Sequence, residues 1–577
     1  MIKILVLIWA FTIFPCLQGQ FQKKVGKHEN QIPSFSIAAQ IDDQLNLKGN
    51  LDFSLNTPFN NTIGIYVFSA GKDSLGSPLL KINTVKINEQ DIEYTTKEGW
   101  IILGNLRETE KLHISFELDL KRIEDWRSTF GYSIFPSHNK ATCWYPDIYL
   151  DNSRKYFKDF TVDLSYPSDV VIQTSGLLNN QLKTNTNFNS KFTAQNIEHF
   201  GLNVAKDFVQ KTVTLAGGVQ LSYFCAAALE DTYQKISEIA AEIVKWYSSK
   251  YGFFPKKHIG IAMGHERWKG GFPTENLFYI HRGNLKPEFL KWITAHELGH
   301  YYWGYHVQSA SSRFLSGLML AHGIWIDQLY ISEETNDALE EVWHNTNSAS
   351  GMIERYLTAT LMNVDQRMKI TKEEQNKQHF DSNMLIFHGK AATGMYLLSR
   401  QMGYHNFLKV QKELLNDFAS KPLTEDDFLE RCSGYWSQSD KFYREWMRGD
   451  AIIEYTIEGI KTVEKNNSWH YSFDVVKKGT VDYPVEIAVV DALGEVNMHK
   501  STSLSKETIT GSLTSEPKSF TLDPFGAVPM WNSSHPSIQA LFIKALYRAG
   551  HTRVAKELAK SYLQDHEDEA IAVILKR

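Results

Sequence analysis

The chain has 577 residues, 42% of them hydrophobic and 22% charged, and a net charge of -5. That length exceeds what one hydrophobic core organises and points to about three domains of an ordinary folded protein. The slightly acidic balance excludes the basic field that attracts nucleic acid, so no nucleic-acid partner is expected.

In chain order, residues 1–19 read as a signal peptide: Lys3 supplies the positive start, residues 4–14 an apolar run, and Leu17-Gln18-Gly19 a small-residue cleavage site. The run is short of the roughly twenty apolar residues a spanning helix needs. No later stretch is long and apolar enough, so the expectation is a secreted or periplasmic protein without stable membrane insertion. Phe14 and Pro15 are poor neighbours for lipid attachment at Cys16. The remaining Cys143, Cys225 and Cys432 are odd in number and lack metal-site spacing, so they read as buried small hydrophobes.

Within residues 20–225, from about residue 34 on, the pattern is period-two alternation, as in Leu51, Phe53 and Leu55 and again in Leu112, Ile114, Phe116 and Leu118. This predicts an N-terminal antiparallel β-domain of saddle or sandwich form. Near residue 229 the period becomes helical: Ile236, Ile239, Ala240, Ile243 and Val244 form one stripe that ends near Gly252. Helical patterns at 287–305, 313–330 and 383–402 make residues 226–450 a mostly helical domain. Alternation returns at Tyr471, Phe473 and Val475 and at Val485, Ile487 and Val489, which predicts a small C-terminal β-domain over 451–530. Residues 531–577 read as terminal helices. Asn60-Asn61-Thr62 and Asn466-Asn467-Ser468 fit the N-glycosylation pattern.

The chemistry centres on His296-Glu297-Leu298-Gly299-His300, an H-E-x-x-H pattern in a helix-like stretch. Positions i and i+4 share a helix face, so His296 and His300 can bind one metal ion, with Glu297 placed to take a proton from activated water. A catalytic zinc usually has three protein ligands. The downstream candidates for the third are His306, His322 and Asp327. His306 has metzincin spacing, but Trp303 stands where that class needs a chain-reversing glycine. His322 lies in an apolar segment, where a histidine is also readily a core residue.

These residues resemble the gluzincin aminopeptidases, the zinc metallopeptidases of the aminopeptidase N and leukotriene hydrolase type, in order along most of the chain. Tyr251-Gly252-Phe253-Phe254-Pro255 resembles the approach to the family's catalytic domain, and Asp523-Pro524 the end of its third domain. Gly271-Phe272-Pro273-Thr274-Glu275-Asn276 resembles G-x-M-E-N, and residues 296–304 match the H-E-x-x-H segment and its following glycine, with Tyr302 at the tryptophan position. The resemblance implies a thermolysin-like catalytic domain within a multidomain α+β chain. It also implies one zinc per chain, and peptide substrates whose free α-amino group is held by Glu275. The family's third ligand, a glutamate, is matched by His322, after a gap of twenty-one residues instead of eighteen, which implies a three-histidine site. The family's catalytic tyrosine is matched by His388 of His388-Gly389-Lys390-Ala391-Ala392, whose imidazole N–H can donate to an oxyanion. Metal ligands are thus expected at His296, His300 and His322, catalytic groups at Glu297 and His388, and substrate binding at Glu275. Two other readings stand beside this one: a non-catalytic descendant that binds peptides, and an endopeptidase using His306.

Overall fold

The computed structural model describes residues 34–54, 63–66, 80–94, 96–97, 100–103, 111–119, 132–134, 144–149, 158–197, 199–264, 269–283, 285–310, 317–345, 351–363, 385–419, 421–502 and 505–577. The expected signal peptide, Cys16, Cys143 and Asn60-Asn61-Thr62 lie outside them. The chain is mixed α+β and divides into two compact units, Met1–Tyr305 and His306–Arg577. No helix among the described residues is long and apolar enough to cross a membrane.

In the first unit, alternation becomes a sheet with one buried face. Phe35, Ile37, Ala39 and Ile41 are buried along Ser34–Ile41 while their neighbours are exposed. Asn46–Ser54 repeats the pattern. Eight strands join in the order Leu177–Lys183, Asn187–Ile197, Lys158–Pro167, Ser34–Ile41, Asn46–Ser54, Lys111–Asp119, Leu80–Ile87 and Gln90–Asp91. Neighbours run antiparallel except Ser34–Ile41 beside Lys158–Pro167, which are parallel. Their inner faces, with Trp144, Tyr145 and Phe200, form one apolar cluster.

A second sheet carries the candidate site. Its order is Phe208–Thr214, Gln220–Ala226, His258–Met263, Leu277–Ile280 and Gly271–Thr274. The three central strands are parallel and both outer pairings antiparallel. His258–Met263 is buried at every position, as a central parallel strand should be. It needs a neighbour on each side, and Gln220–Ala226 supplies one. The sheet therefore runs across the boundary expected at 225/226. Helix α1, Glu230–Tyr251, connects those two strands, buries the expected stripe, and ends at Gly252, whose φ of 91° is a glycine conformation. Helix α2, Pro287–Gly299, opens with Pro287 in its first turn and contains the start of the H-E-x-x-H motif.

In the second unit a short strand, Gln308–Ser309, precedes a run of helices, of which α3, Gly317–Thr335, is buried over most of its circumference. A short π-helical segment, Leu385–Lys390, leads into helix Ala391–Met402. Two three-stranded sheets follow, Tyr455–Lys465 with Ser468–Lys477 and Lys506–Leu513, and Val496–Lys500 with Glu486–Asp491 and Pro517–Leu522. Exposed Asn466 and Asn467 form the turn between the first two strands, both at positive φ, which asparagine tolerates. Helices Pro536–Arg548, Thr552–Asp565 and Glu569–Lys576 end the chain. Cys225 and Cys432 are free and buried.

Candidate functional site

Buried aromatic side chains fix helix α2 from below and from its end. Tyr247 of α1 donates its hydroxyl to the Ala295 carbonyl at 2.8 Å, immediately before His296. Beyond the helix, Tyr302 donates to the Phe253 carbonyl, and the Trp303 indole to the Tyr251 hydroxyl at 3.3 Å. The Tyr251-Gly252-Phe253-Phe254 segment thereby clamps the residues after His300, with the Tyr251 and Tyr302 rings 4.7 Å apart.

The last helical turn presents the two histidines together. Their ring centroids are 4.8 Å apart with planes at 81°. Two imidazoles on one tetrahedral ion, with metal–nitrogen bonds near 2 Å, place their centroids about 5 Å apart, so this pair fits zinc. Both rings are buried, and Trp292 stacks on His296 at 5.6 Å. Burial, then the neighbouring His296 charge, holds the His300 pKa well below the usual imidazole value, so its ring is neutral, as a ligand must be. Among the described residues no three His, Cys, Asp or Glu side chains form a ligand group.

Glu297 and Glu275 both lie within electrostatic reach of Tyr301. Gly271 of the edge strand covers Glu297 so closely that a Cβ there would fall 2.5 Å from Oε1. The hairpin between Gly271–Thr274 and Leu277–Ile280 turns through Glu275 and Asn276. Asn276 adopts φ 58° and donates to the Ser175 carbonyl at 2.9 Å. Glu275 is buried; it accepts from the His199 backbone N–H at 3.3 Å and pairs with Lys256 Nζ at 3.4 Å. Behind His199 stands a second buried charge group, in which Asp147 pairs with Lys158 and lies 3.3 Å from His199 Nδ1. Burial alone would raise the Asp147 pKa, but Lys158 and His199 outweigh it and bring the value down to about 2.

Sequence reasoning missed Tyr301. It lies four residues after Glu297, in the turn that follows helix α2, where its N–H donates to the Leu298 carbonyl at 3.2 Å. Its buried hydroxyl has no hydrogen-bond partner among the described residues. Burial, then the charges of Glu297 and Glu275, push its pKa well above the usual phenol value. The Glu297 spacing could have flagged it; the Glu275 coupling is a tertiary feature.

His322 and His388 belong to the second unit. His322 is fully buried on α3, stacked on Phe407 and edge-on to Phe428 at 4.9 Å. Burial brings its pKa down to about 3. The Gln411 amide nitrogen lies 3.0 Å from His322 Nδ1. With this nitrogen donating, Nδ1 accepts and Nε2 carries the hydrogen; with the amide turned over, its oxygen accepts from Nδ1–H and Nε2 is the free base. His388 is half-buried in the π-helical segment, a form often found at functional sites. The adjoining Gly389 packs where a Cβ would meet the Tyr356 backbone nitrogen at 2.5 Å, and Lys390 donates to the Gly449 carbonyl at 2.6 Å. Of the other ligand candidates, His306 lies 3.1 Å through Nε2 from the Leu415 carbonyl, and Asp327 is buried on α3 beside Gln328. A comparison with protein-family models and with curated proteins finds no match to this chain.

Proposed function

We propose that the chain is an exported zinc metallopeptidase that removes N-terminal residues from peptides. The observation that carries the reading is the His296–His300 pair at 4.8 Å, with Glu297 held under Gly271 of the strand leading to Glu275. The resemblance to gluzincin aminopeptidases supports it. Zinc, when bound, polarises a carbonyl and acidifies water. His296 and His300 would hold it through neutral nitrogens, with His322 as the proposed third ligand. For that role His322 Nδ1 must keep the hydrogen, so the Gln411 amide must offer its oxygen instead of its nitrogen.

Glu297 takes the proton from the attacking water and later delivers it to the departing amine. The carboxylate is desolvated, so the transfer proceeds without reorganising a hydration shell. Glu275 binds the peptide's α-ammonium and so sets the cut one residue from the chain start. His388 donates its imidazole N–H to the developing oxyanion. Glu297→Gln tests the mechanism: peptidase activity should fall by at least about a hundredfold while zinc is retained.

One observation favours a second reading, a peptide-binding relative without catalysis. The nitrogen-to-nitrogen contact of Gln411 with His322 leaves Nε2 protonated and unable to ligate. Two histidines alone would hold zinc weakly. Protein purified without stoichiometric zinc, and taking none up from micromolar solution, would establish that reading.

A further inference from the structure

The amine anchor already carries a cation. Lys256 Nζ lies 3.4 Å from Glu275 Oε1, and the lysine side chain is 12% exposed while the carboxylate is 1% exposed. The other carboxylate oxygen accepts the His199 N–H. Lys256 therefore offsets the charge of the buried Glu275 carboxylate at close range. We propose that Lys256 is the resident counter-ion of Glu275 and competes with the α-ammonium of an incoming peptide for it. This specificity-determining role rests on Glu275 being the amine anchor, as proposed above.

Charge balance in a dry place sets this competition. Adding an α-ammonium to the compensated group leaves an unpaired positive charge where water is excluded, which is costly. Lys256 is the member able to withdraw. It follows Pro255 in the irregular segment before His258–Met263, and its long side chain retains solvent access. Glu275, in the hairpin turn and held by a backbone N–H, has no comparable exit. Amine binding is thus an exchange of one ammonium for another, weaker than binding to a bare carboxylate. An N-acetylated peptide cannot drive the exchange.

The test measures equilibrium binding of leucinamide at pH 7.5 in the full chain with Glu297→Gln, so that nothing turns over. N-acetyl-leucinamide is the control. Adding Lys256→Met should tighten leucinamide binding about tenfold, because Lys256 no longer competes for the carboxylate. Lys256→Arg should bind like the parent, and the acetylated probe should bind poorly throughout. Lys256→Met binding leucinamide no tighter than the parent, with the acetylated probe still rejected, overturns the competition while leaving Glu275 as the anchor. Equal binding of both probes in every variant overturns the anchor assignment itself, and the competition with it.

Discussion

Alanine at Gly271 should silence the general base without unfolding the protein. The added Cβ would lie 2.5 Å from Glu297 Oε1 and 2.7 Å from both Cδ and Cγ. Ordinary contact needs about 3.5 Å, so the carboxylate must retreat by about 1 Å, and the nearness of Cγ requires the whole side chain to move. Gly271 is not at positive φ, so its backbone accepts alanine. Overpacking of this kind costs about 1–3 kcal/mol of stability. A misplacement of ~1 Å at a reacting group lowers rate by about a hundredfold, and full loss of the base by up to about ten thousandfold. The neighbouring Gly270 is the control. Its φ of 86° makes alanine strained, yet its nearest contact would be Ile293 at 4.0 Å, clear of Glu297. The assay is steady-state hydrolysis of an aminoacyl anilide, with zinc content and thermal unfolding measured alongside. Gly271→Ala should lose kcat by about a hundredfold or more with zinc retained, and Gly270→Ala should lose stability with kcat nearly intact. A Gly271→Ala enzyme within threefold of wild-type kcat would refute the reasoning, as would equal losses in the two variants.

Three further outcomes follow from individual side chains. Burial lowers the His258 pKa to about 4, so above pH 6.5 the ring is neutral in both folded and unfolded chains. Below that the unfolded chain takes a proton the folded one refuses, and stability falls by about 1.4 kcal/mol per pH unit until about pH 4. Urea unfolding of wild type should therefore lose about 2 kcal/mol more than His258→Gln between pH 6.5 and 5; parallel profiles would contradict this. Tyr301→Phe removes a buried hydroxyl that has no hydrogen-bond partner among the described residues, so unfolding should be unchanged or up to about 1 kcal/mol more favourable to the folded state. A loss above 2 kcal/mol would expose a partner. Chelator competition examines the third ligand: His322→Ala should weaken zinc binding by at least about a hundredfold, while Gln411→Glu, whose carboxylate accepts from Nδ1–H, should strengthen it by about tenfold. Zinc affinity within threefold of wild type in His322→Ala would remove His322 from the ligand set.

The H-E-x-x-H spacing was legible because helical periodicity is local: four residues fix that His296 and His300 share a face. Helix α1 was legible for the same reason, together with Gly252 as its stop. Strand alternation marked the first sheet wherever one face meets solvent. His258–Met263 carries no such alternation because both its faces are buried, and its parallel partner Gln220–Ala226 lies one helix away. The sheet that crosses the expected 225/226 boundary was therefore not readable from local pattern. The ion pairs of Glu275 with Lys256 and of Asp147 with Lys158 join residues whose spacing follows no period. Glu275 could be singled out from its motif, but the cation beside it could not. His322 illustrates the limit of a motif match: its apolar segment favours a core helix, the family resemblance favours a ligand, and the partner of its Nδ1, Gln411, comes from another helix that no local pattern announces.

We propose above that His296, His300 and Glu297 form a hydrolytic zinc site. Its most direct test is zinc stoichiometry and aminoacyl-anilide hydrolysis measured together on wild type, Glu297→Gln and His296→Ala. The expected result is about one zinc per chain in wild type and Glu297→Gln, activity in wild type alone, and neither zinc nor activity in His296→Ala. Full activity in Glu297→Gln, or wild-type protein that takes up no zinc, would contradict it.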